Sequence, residues 1–450
     1  MRASMFRGKP NQSYSLLTAF ALVLLGVNVM QAQDELSREN AVERSLQNNL
    51  GIRLAQQKAE MAAIGNAWGA AGALPQVGIS ASGSNSVSDQ SQNPTSFIQE
   101  KLESESVNLG GQLNWMLFDG LGMFANKRSL ERLEEQADGQ VDLIIEQAVA
   151  ATMLAYNGVM LQRAVVEVLA TSMEISLARL VWIDARTANG AATTFDRLQF
   201  ENALLSDSLA WRQQRANVRQ AVIALNRLMG ELPEREWEFT SPLVVPESIR
   251  DFDQLSEAAL SNAKTIENAL ISKELASVGL QQAQARMSPT LSLNASQSDQ
   301  SSRFSAGDLS GEGKTINLAA SFTINFNLFN GGATRRAIQQ AKIQLAMAET
   351  QADEERREVH RWLSDAWIRW VASQETYSIA LQLTSNSNRM LEIAEERLAN
   401  GSINSLDFRE IQIQALNAAQ QQIQALNAWQ AADIELHRLT GAWSYRLQVE

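Results

Sequence analysis

Two histidines, His360 and His437, and no cysteine make up the chain's supply of its usual metal ligands and nucleophile activators. They stand far apart in helical patterns, so their spacing builds neither a clustered metal centre nor a nucleophile–base pair, and surface or packing roles suffice for both. Carboxylates are plentiful, at 50 Asp and Glu against 38 Lys and Arg, but none sits in a catalytic motif. The lack of cysteine also excludes disulfide staples, thiolate metal sites and a lipid-anchored amino-terminal cysteine. The residues therefore point to no enzyme and no cofactor. A net charge of −12 argues against nucleic acid as a partner.

The amino terminus reads as an export signal. Arg2, Arg7 and Lys9 precede an uncharged apolar run from Leu16 to Val29, and Met30-Gln31-Ala32 offers a small residue for cleavage, which makes residues 1–32 a signal peptide. Its removal deletes three basic and no acidic residues, taking −12 to −15 (−12 − 3).

The elements behind these residues are organised by a duplication. At an offset of 211, Leu117-Phe118-Asp119-Gly120 matches Leu328-Phe329-Asn330-Gly331, and Arg186-Thr187-Ala188-Asn189-Gly190 matches Arg397-Leu398-Ala399-Asn400-Gly401. Asp196 falls on Asp407, and Leu225, Arg227, Leu228 and Gly230 fall on Leu436, Arg438, Leu439 and Gly441. Upstream the offset is 214, pairing Asn48 with Asn262, Ile52 with Ile266 and Pro75 with Pro289. Two repeats are expected, 33–230 and 253–441, joined by a connector at 231–252 that holds Pro233, Pro242 and Pro246, with a tail at 442–450.

Within each repeat the hydrophobic period changes from helical to alternating and back. Leu36–Ala73 and Asp253–Met287 read as helix, stopped by Pro75 and Pro289. Two alternating runs follow in each half, near 76–87 and 106–118, then near 290–300 and 314–329. In the last, Ile316, Leu318, Ala320, Phe322, Ile324, Phe326 and Leu328 share one face, and Asn317, Ser321, Thr323, Asn325 and Asn327 the other. At about eleven to thirteen residues these runs approach the 9 to 11 that a tilted strand needs to cross a bilayer. Beyond Gly120 and Gly332 the pattern is helical for about 65 residues, a reach of roughly 100 Å. An Ala-Asn-Gly break and a further helix complete long hairpins at 122–230 and 333–441.

Four strands facing lipid cannot stand alone, because open sheet edges are excluded from hydrocarbon. Two copies would give eight strands with a filled interior; three would give twelve and room for a lumen. The competing arrangement is a secreted periplasmic structural or adaptor protein of helical hairpins, with small soluble hairpins instead of a barrel.

The motifs carry a family likeness. Ser45-Leu46-Gln47-Asn48-Asn49-Leu50, Leu74-Pro75-Gln76, Trp115-Met116-Leu117-Phe118-Asp119-Gly120 and Phe326-Asn327-Leu328-Phe329-Asn330-Gly331-Gly332 stand in the order seen in the TolC-like outer membrane factors, which the chain resembles over nearly all of its mature length. The resemblance implies a mixed α and transmembrane β fold: a homotrimer whose twelve-stranded β-barrel, four strands per chain, continues into a periplasmic α-helical barrel. It further implies residence in the outer membrane, in contact with its lipid, and a passive role in efflux or type I secretion. The implied partners are a periplasmic adaptor (membrane fusion) protein and an inner-membrane pump of the RND, ABC or MFS type.

By the same resemblance, Asn189, Gly190, Asn400 and Gly401 form hairpin-tip turns for adaptor docking, and Asp407 with Glu410 forms a periplasmic gate to which Asp196 contributes. Asp196 and Asp407 also suit helix caps. Trp115, Phe118, Gly120, Phe329, Gly331 and Gly332 mark the membrane ends of strands, and Trp362, Trp367, Trp370 and Trp429 are packing residues. Departures are Asn330 for Asp and Leu121 for Gly in the strand-end motifs, and Leu398 and Ile403 where family members carry a Tyr and an Arg latch.

Overall fold

The computed structural model describes residues 34–247 and 251–441; the expected signal peptide and tail lie outside them. In chain order the elements are β1 (Asp34–Leu36), α1 (Arg38–Asn48), α2 (Leu50–Gly65), β2 (Gln76–Asp89), β3 (Lys101–Phe118), α3 (Gly122–Ala188) and α4 (Thr194–Leu228). There follow β4 (Trp237–Phe239), α5 (Phe252–Asn262), α6 (Lys264–Ala285), β5 (Thr290–Ala306), β6 (Leu309–Asn325), α7 (Ala333–Ala399) and α8 (Ser405–Leu439). α3 and α7 are each 67 residues, about 100 Å of helix, and each folds back on its 35-residue successor.

β2, β3, β5 and β6 form one antiparallel sheet in the order β2-β3-β5-β6. The two repeats thus join through β3 and β5, where Asn108 faces Gln300 and Asn114 faces Asn294. The strands run to 14, 18, 17 and 17 residues, longer than the alternation suggested. β3 begins at Lys101 rather than near 106, because a backbone ladder continues through Ser104 and Ser106 whatever their polarity. β6 is displaced from 314–329 to 309–325: Thr290 pairs with Asn325, and the preceding Pro289 has no N–H to extend the ladder. Phe326, Leu328 and Phe329 therefore lie beyond the strand, exposed in the chain.

The helix read at 36–73 is two helices ending at Gly65. Asn49 interrupts it: its side chain accepts from Gly51 N (2.8 Å) and Ile52 N (3.3 Å), opening α2, and donates to Leu228 O (2.9 Å). In the second repeat the break falls at Ala263, extended at ψ 113°. The connector is not wholly irregular, since β4 pairs in parallel with β1, Leu36 opposite Phe239. Three-residue strands carry too little alternation to be read. Tyr156 holds this pair to α3, donating to Leu36 O (3.0 Å) and accepting from Ser241 N (3.0 Å). Leu36, Tyr156, Val159, Leu225, Met229 and Trp237 close one core; Val359, Leu363, Ala366, Trp370, Trp429 and Leu436 close its counterpart in the second half.

Gly120 ends β3 at φ +72°, and a Cβ there would stand 2.4 Å from Ala285 O and 2.5 Å from Ser288 Cβ. Its repeat partner Gly331 has φ +66° but open space around it. Gly331→Ala is therefore expected to cost about 1 to 2 kcal/mol for the left-handed backbone alone. Gly120→Ala adds a backbone clash worth a further ~1–3 kcal/mol, so its chemical-denaturation midpoint should fall further. Leu121 occupies the left-handed region (φ 71°), as Gly332 does (φ 78°) in the second repeat, so the Leu-for-Gly departure is accommodated at the cost of strain.

Candidate functional site

The sheet separates two chemistries by register. One face carries Val77, Ile79, Leu109, Leu113, Leu293, Leu318, Phe322 and Ile324; the other carries mostly Ser, Asn, Gln, Thr and Gly, with Leu102, Phe304, Ala306 and Leu309 at the end remote from the helices. Val77, Ile79, Leu318, Phe322 and Ile324 are all more than two-thirds exposed in the single chain, which no aqueous surface favours in so continuous a band. At the helix-proximal end, Trp115 stands in register with Leu293 and Phe322 and donates from Nε1 to Ala73 O (2.9 Å). An indole with one apolar body and one satisfied polar edge suits an interface between lipid and water. A bulge after Met116 puts Phe118 opposite Leu291, on the apolar face.

At the other end of the molecule are the hairpin tips. Asn189 and Gly190 end α3, with Gly190 at φ +72° and Ala191 N bonded to Arg186 O (2.8 Å). Asn400 and Gly401 repeat this at φ +71°, with Ser402 N bonded to Arg397 O (2.8 Å). This is the left-handed helix stop for which glycine is suited. Asp196 forms a capping box with Thr193, whose hydroxyl and backbone N–H both reach its carboxylate. Those hydrogen bonds, the hydroxyl's first, hold the Asp196 carboxyl below the usual range. Asp407 donates its own N–H to the cap Asn404 (2.9 Å), leaving its carboxylate exposed one turn before the exposed Glu410. The two are thus adjacent on α8, while Asp196 is engaged in capping.

The tips of the two hairpins pack on each other through Ile183, Phe200, Ala394, Leu398 and Phe408. Leu398 and Ile403, at the positions of the family latch, are therefore part of an apolar contact. Above it lies a polar cluster that sequence reasoning missed. Arg409 on α8 grips Asp207 on α4 with both guanidinium nitrogens, at 2.8 and 2.5 Å. Ser176 donates to the same carboxylate (2.7 Å), and Gln412 donates to Ser172 O and Ser176 Oγ at 3.0 Å. Asp207 is 3% exposed. The repeat held the available signal: Asp207 falls on Ala418, and Arg409 on Leu198, so this polarity breaks the duplication.

Among the described residues no three or more His, Asp or Glu cluster as a metal site, and no helix is long and apolar enough to cross a membrane. A single buried carboxyl is displaced strongly: burial raises Glu146 to about 7, with Asp142 adding repulsion and Arg438 and Lys264 opposing. Its unfolded value is 4.5, so the folded state holds the extra proton and loses stability as pH rises from about 4.5 to 7. Glu146→Gln is expected to flatten that decline, on the order of 1 to 3 kcal/mol, in denaturation midpoints taken at pH 5 and 8.

Residues 255–442 match the family described as outer membrane efflux protein. That match covers less than half of the chain. Its similarity to the outer membrane efflux protein BepC of Brucella suis biovar 1 (strain 1330) is 27% identity over 276 residues, 59% of this chain and 57% of that relative, so the match spans little more than half of BepC. In three dimensions the likeness extends over both halves of the chain. The CmeC outer membrane channel of Campylobacter jejuni superposes with a TM-score of 0.74 at 18% identity, covering 91% of this chain and 88% of CmeC. The outer membrane protein VceC of Vibrio cholerae gives 0.70 at 18% identity, over 90% of this chain and 96% of VceC. The MtrE outer membrane channel of Neisseria gonorrhoeae gives 0.72 at 17% identity, over 90% and 88%. The fold shared with these outer membrane channels is TolC-like, and the relatives are named for channels and efflux.

Proposed function

We propose that this chain is one third of a passive outer-membrane duct, the exit of an efflux pump or type I secretion system. The observation that carries the reading is the pair of open edges, β2 and β6, on a sheet with a continuous apolar face. In hydrocarbon every backbone N–H and C=O needs a partner, so the edges must be closed by other copies. Three copies supply twelve strands and leave a lumen that eight strands lack. Each copy adds two helical hairpins below the sheet, whose exposed apolar residues, Ile343, Ile368 and Ile379 among them, are covered by neighbours in a tube. Energy and cargo choice then belong to an inner-membrane pump of RND, ABC or MFS type, linked by a periplasmic adaptor docked on the turns at Asn189-Gly190 and Asn400-Gly401. No cofactor is required.

Cross-linking of the detergent-extracted outer membrane tests this: a ladder ending at three subunits is expected, from material that resists alkaline washing. A monomer released by alkali would overturn the barrel. At the tip, Asp407 and Glu410 recurring three times would ring the opening with six carboxylates and favour cations. Replacing both with Ala is expected to relieve block by a trivalent cation added from the periplasmic side in planar bilayers. Asp196→Ala should change the block less, because that carboxylate is committed to its helix cap.

A further inference from the structure

The four strands hold eight charged residues, and all of them lie on the apolar-band face, seven toward the end remote from the helices and Asp299 at mid-strand between Leu109 and Ile316. Glu105, Arg303 and Glu312 stand side by side across β3, β5 and β6, with Lys314 and Asp299 nearer the apolar band. The opposite face has no Asp, Glu, Lys or Arg over the full length of the four strands. Ser82, Asn108, Gln300 and Thr315 form one of its rows, and its remote end turns apolar with Leu102, Phe304, Ala306 and Leu309.

We infer that the barrel's inner wall is a charge-neutral surface, mainly of hydroxyls and amides, so that the membrane part of the duct does not sort cargo by charge. The inference rests on the duct reading. A fixed charge biases permeation when it lines the pore at close range. Here the charges sit behind the sheet. Three pairs are internally neutralised: Arg303 with Glu312 (2.5 Å), Lys314 with Asp299 (2.9 Å) and Lys101 with Glu103 (3.2 Å). What remains, Asp89 and Glu105, is separated from the lumen by the wall, a distance comparable with the ~10 Å over which 0.1 M salt screens. A lining of hydroxyls and amides can donate to anionic groups and accept from cationic ones alike. The chemical class that fits such a wall is polar cargo of either sign or of none.

Planar-bilayer reversal potentials in a potassium chloride gradient test it. Gln300→Glu and Gln300→Lys, the first fixed charges on the inner face, are expected to move the K+/Cl− permeability ratio in opposite directions, by about twofold each. Glu105→Gln combined with Glu312→Gln is expected to leave the ratio at its parent value. A shift in that outer-face variant as large as that of Gln300→Glu would overturn the inference. Failure of the duct itself shows differently, as a parent protein that gives no conductance steps. The wall is then read by labelling, which the cysteine-free chain makes clean. In outer-membrane vesicles Asn108→Cys should react with a membrane-impermeant maleimide and Leu109→Cys should not. Equal labelling of both would overturn the assignment of faces.

Discussion

Leu318→Lys is expected to cost the assembled barrel about 2 to 4 kcal/mol, whereas Asn317→Lys leaves it nearly as stable as the parent. The two residues are neighbours in β6 with opposite surroundings. Leu318 lies opposite Gln297 on the apolar-band face, 83% exposed in the single chain, and Phe322 and Ile324 continue its band. Against lipid near mid-bilayer an ammonium there loses its hydration, and the long side chain recovers only part of it by reaching for the interface. Asn317 lies opposite Ser298 on the polar face, which in the proposed duct lines the water-filled lumen and keeps a lysine solvated. Urea midpoints of the detergent-solubilised protein and yields of outer-membrane trimer measure the difference. Equal losses at both positions would mean that protein covers both faces.

Asp207→Ala is expected to weaken the packing of the two hairpins by about 3 kcal/mol, the low end for breaking a buried pair because Arg409 keeps 21% of its side-chain surface. The substitution strands the Arg409 guanidinium and leaves Ser172, Ser176 and Gln412 without the carboxylate that organises them. Asp207→Ala with Arg409→Leu should recover much of the loss. Removing both charges restores what the second repeat already does with Ala418, and the first with Leu198, at the equivalent positions. Hydrogen exchange of α4 and α8 amides reads the effect locally, and unchanged exchange in the single variant would show that the pair contributes nothing to docking.

The legible part of this protein was whatever period and duplication encode. Alternation at Ile316 to Ile324 announced a two-faced strand because side chains of a strand point to opposite sides at every step. Gly190 and Gly401 announced the hairpin tips because a left-handed stop suits glycine, and the two stand at the same sequence offset as the other paired motifs. Strand ends were less legible. Where Pro289 forbids one more ladder bond, β6 stops at Asn325 although Phe326 and Leu328 continue the apolar phase.

By itself, then, the sequence determined the elements, their repetition, the division of the sheet into a polar and an apolar face, and the family likeness, all of which are local or periodic properties of the chain. Tertiary structure alone decided which distant residues meet. The parallel pair of Asp34–Leu36 with Trp237–Phe239, the grip of Arg409 on Asp207 across 202 positions, and the burial that lifts Glu146 depend on how helices about 100 Å long align side by side. A charged residue on one such helix takes its partner from whichever turn of the neighbour lies opposite, and that register is set by the packing of the apolar stripes between the helices, not by any spacing within one of them.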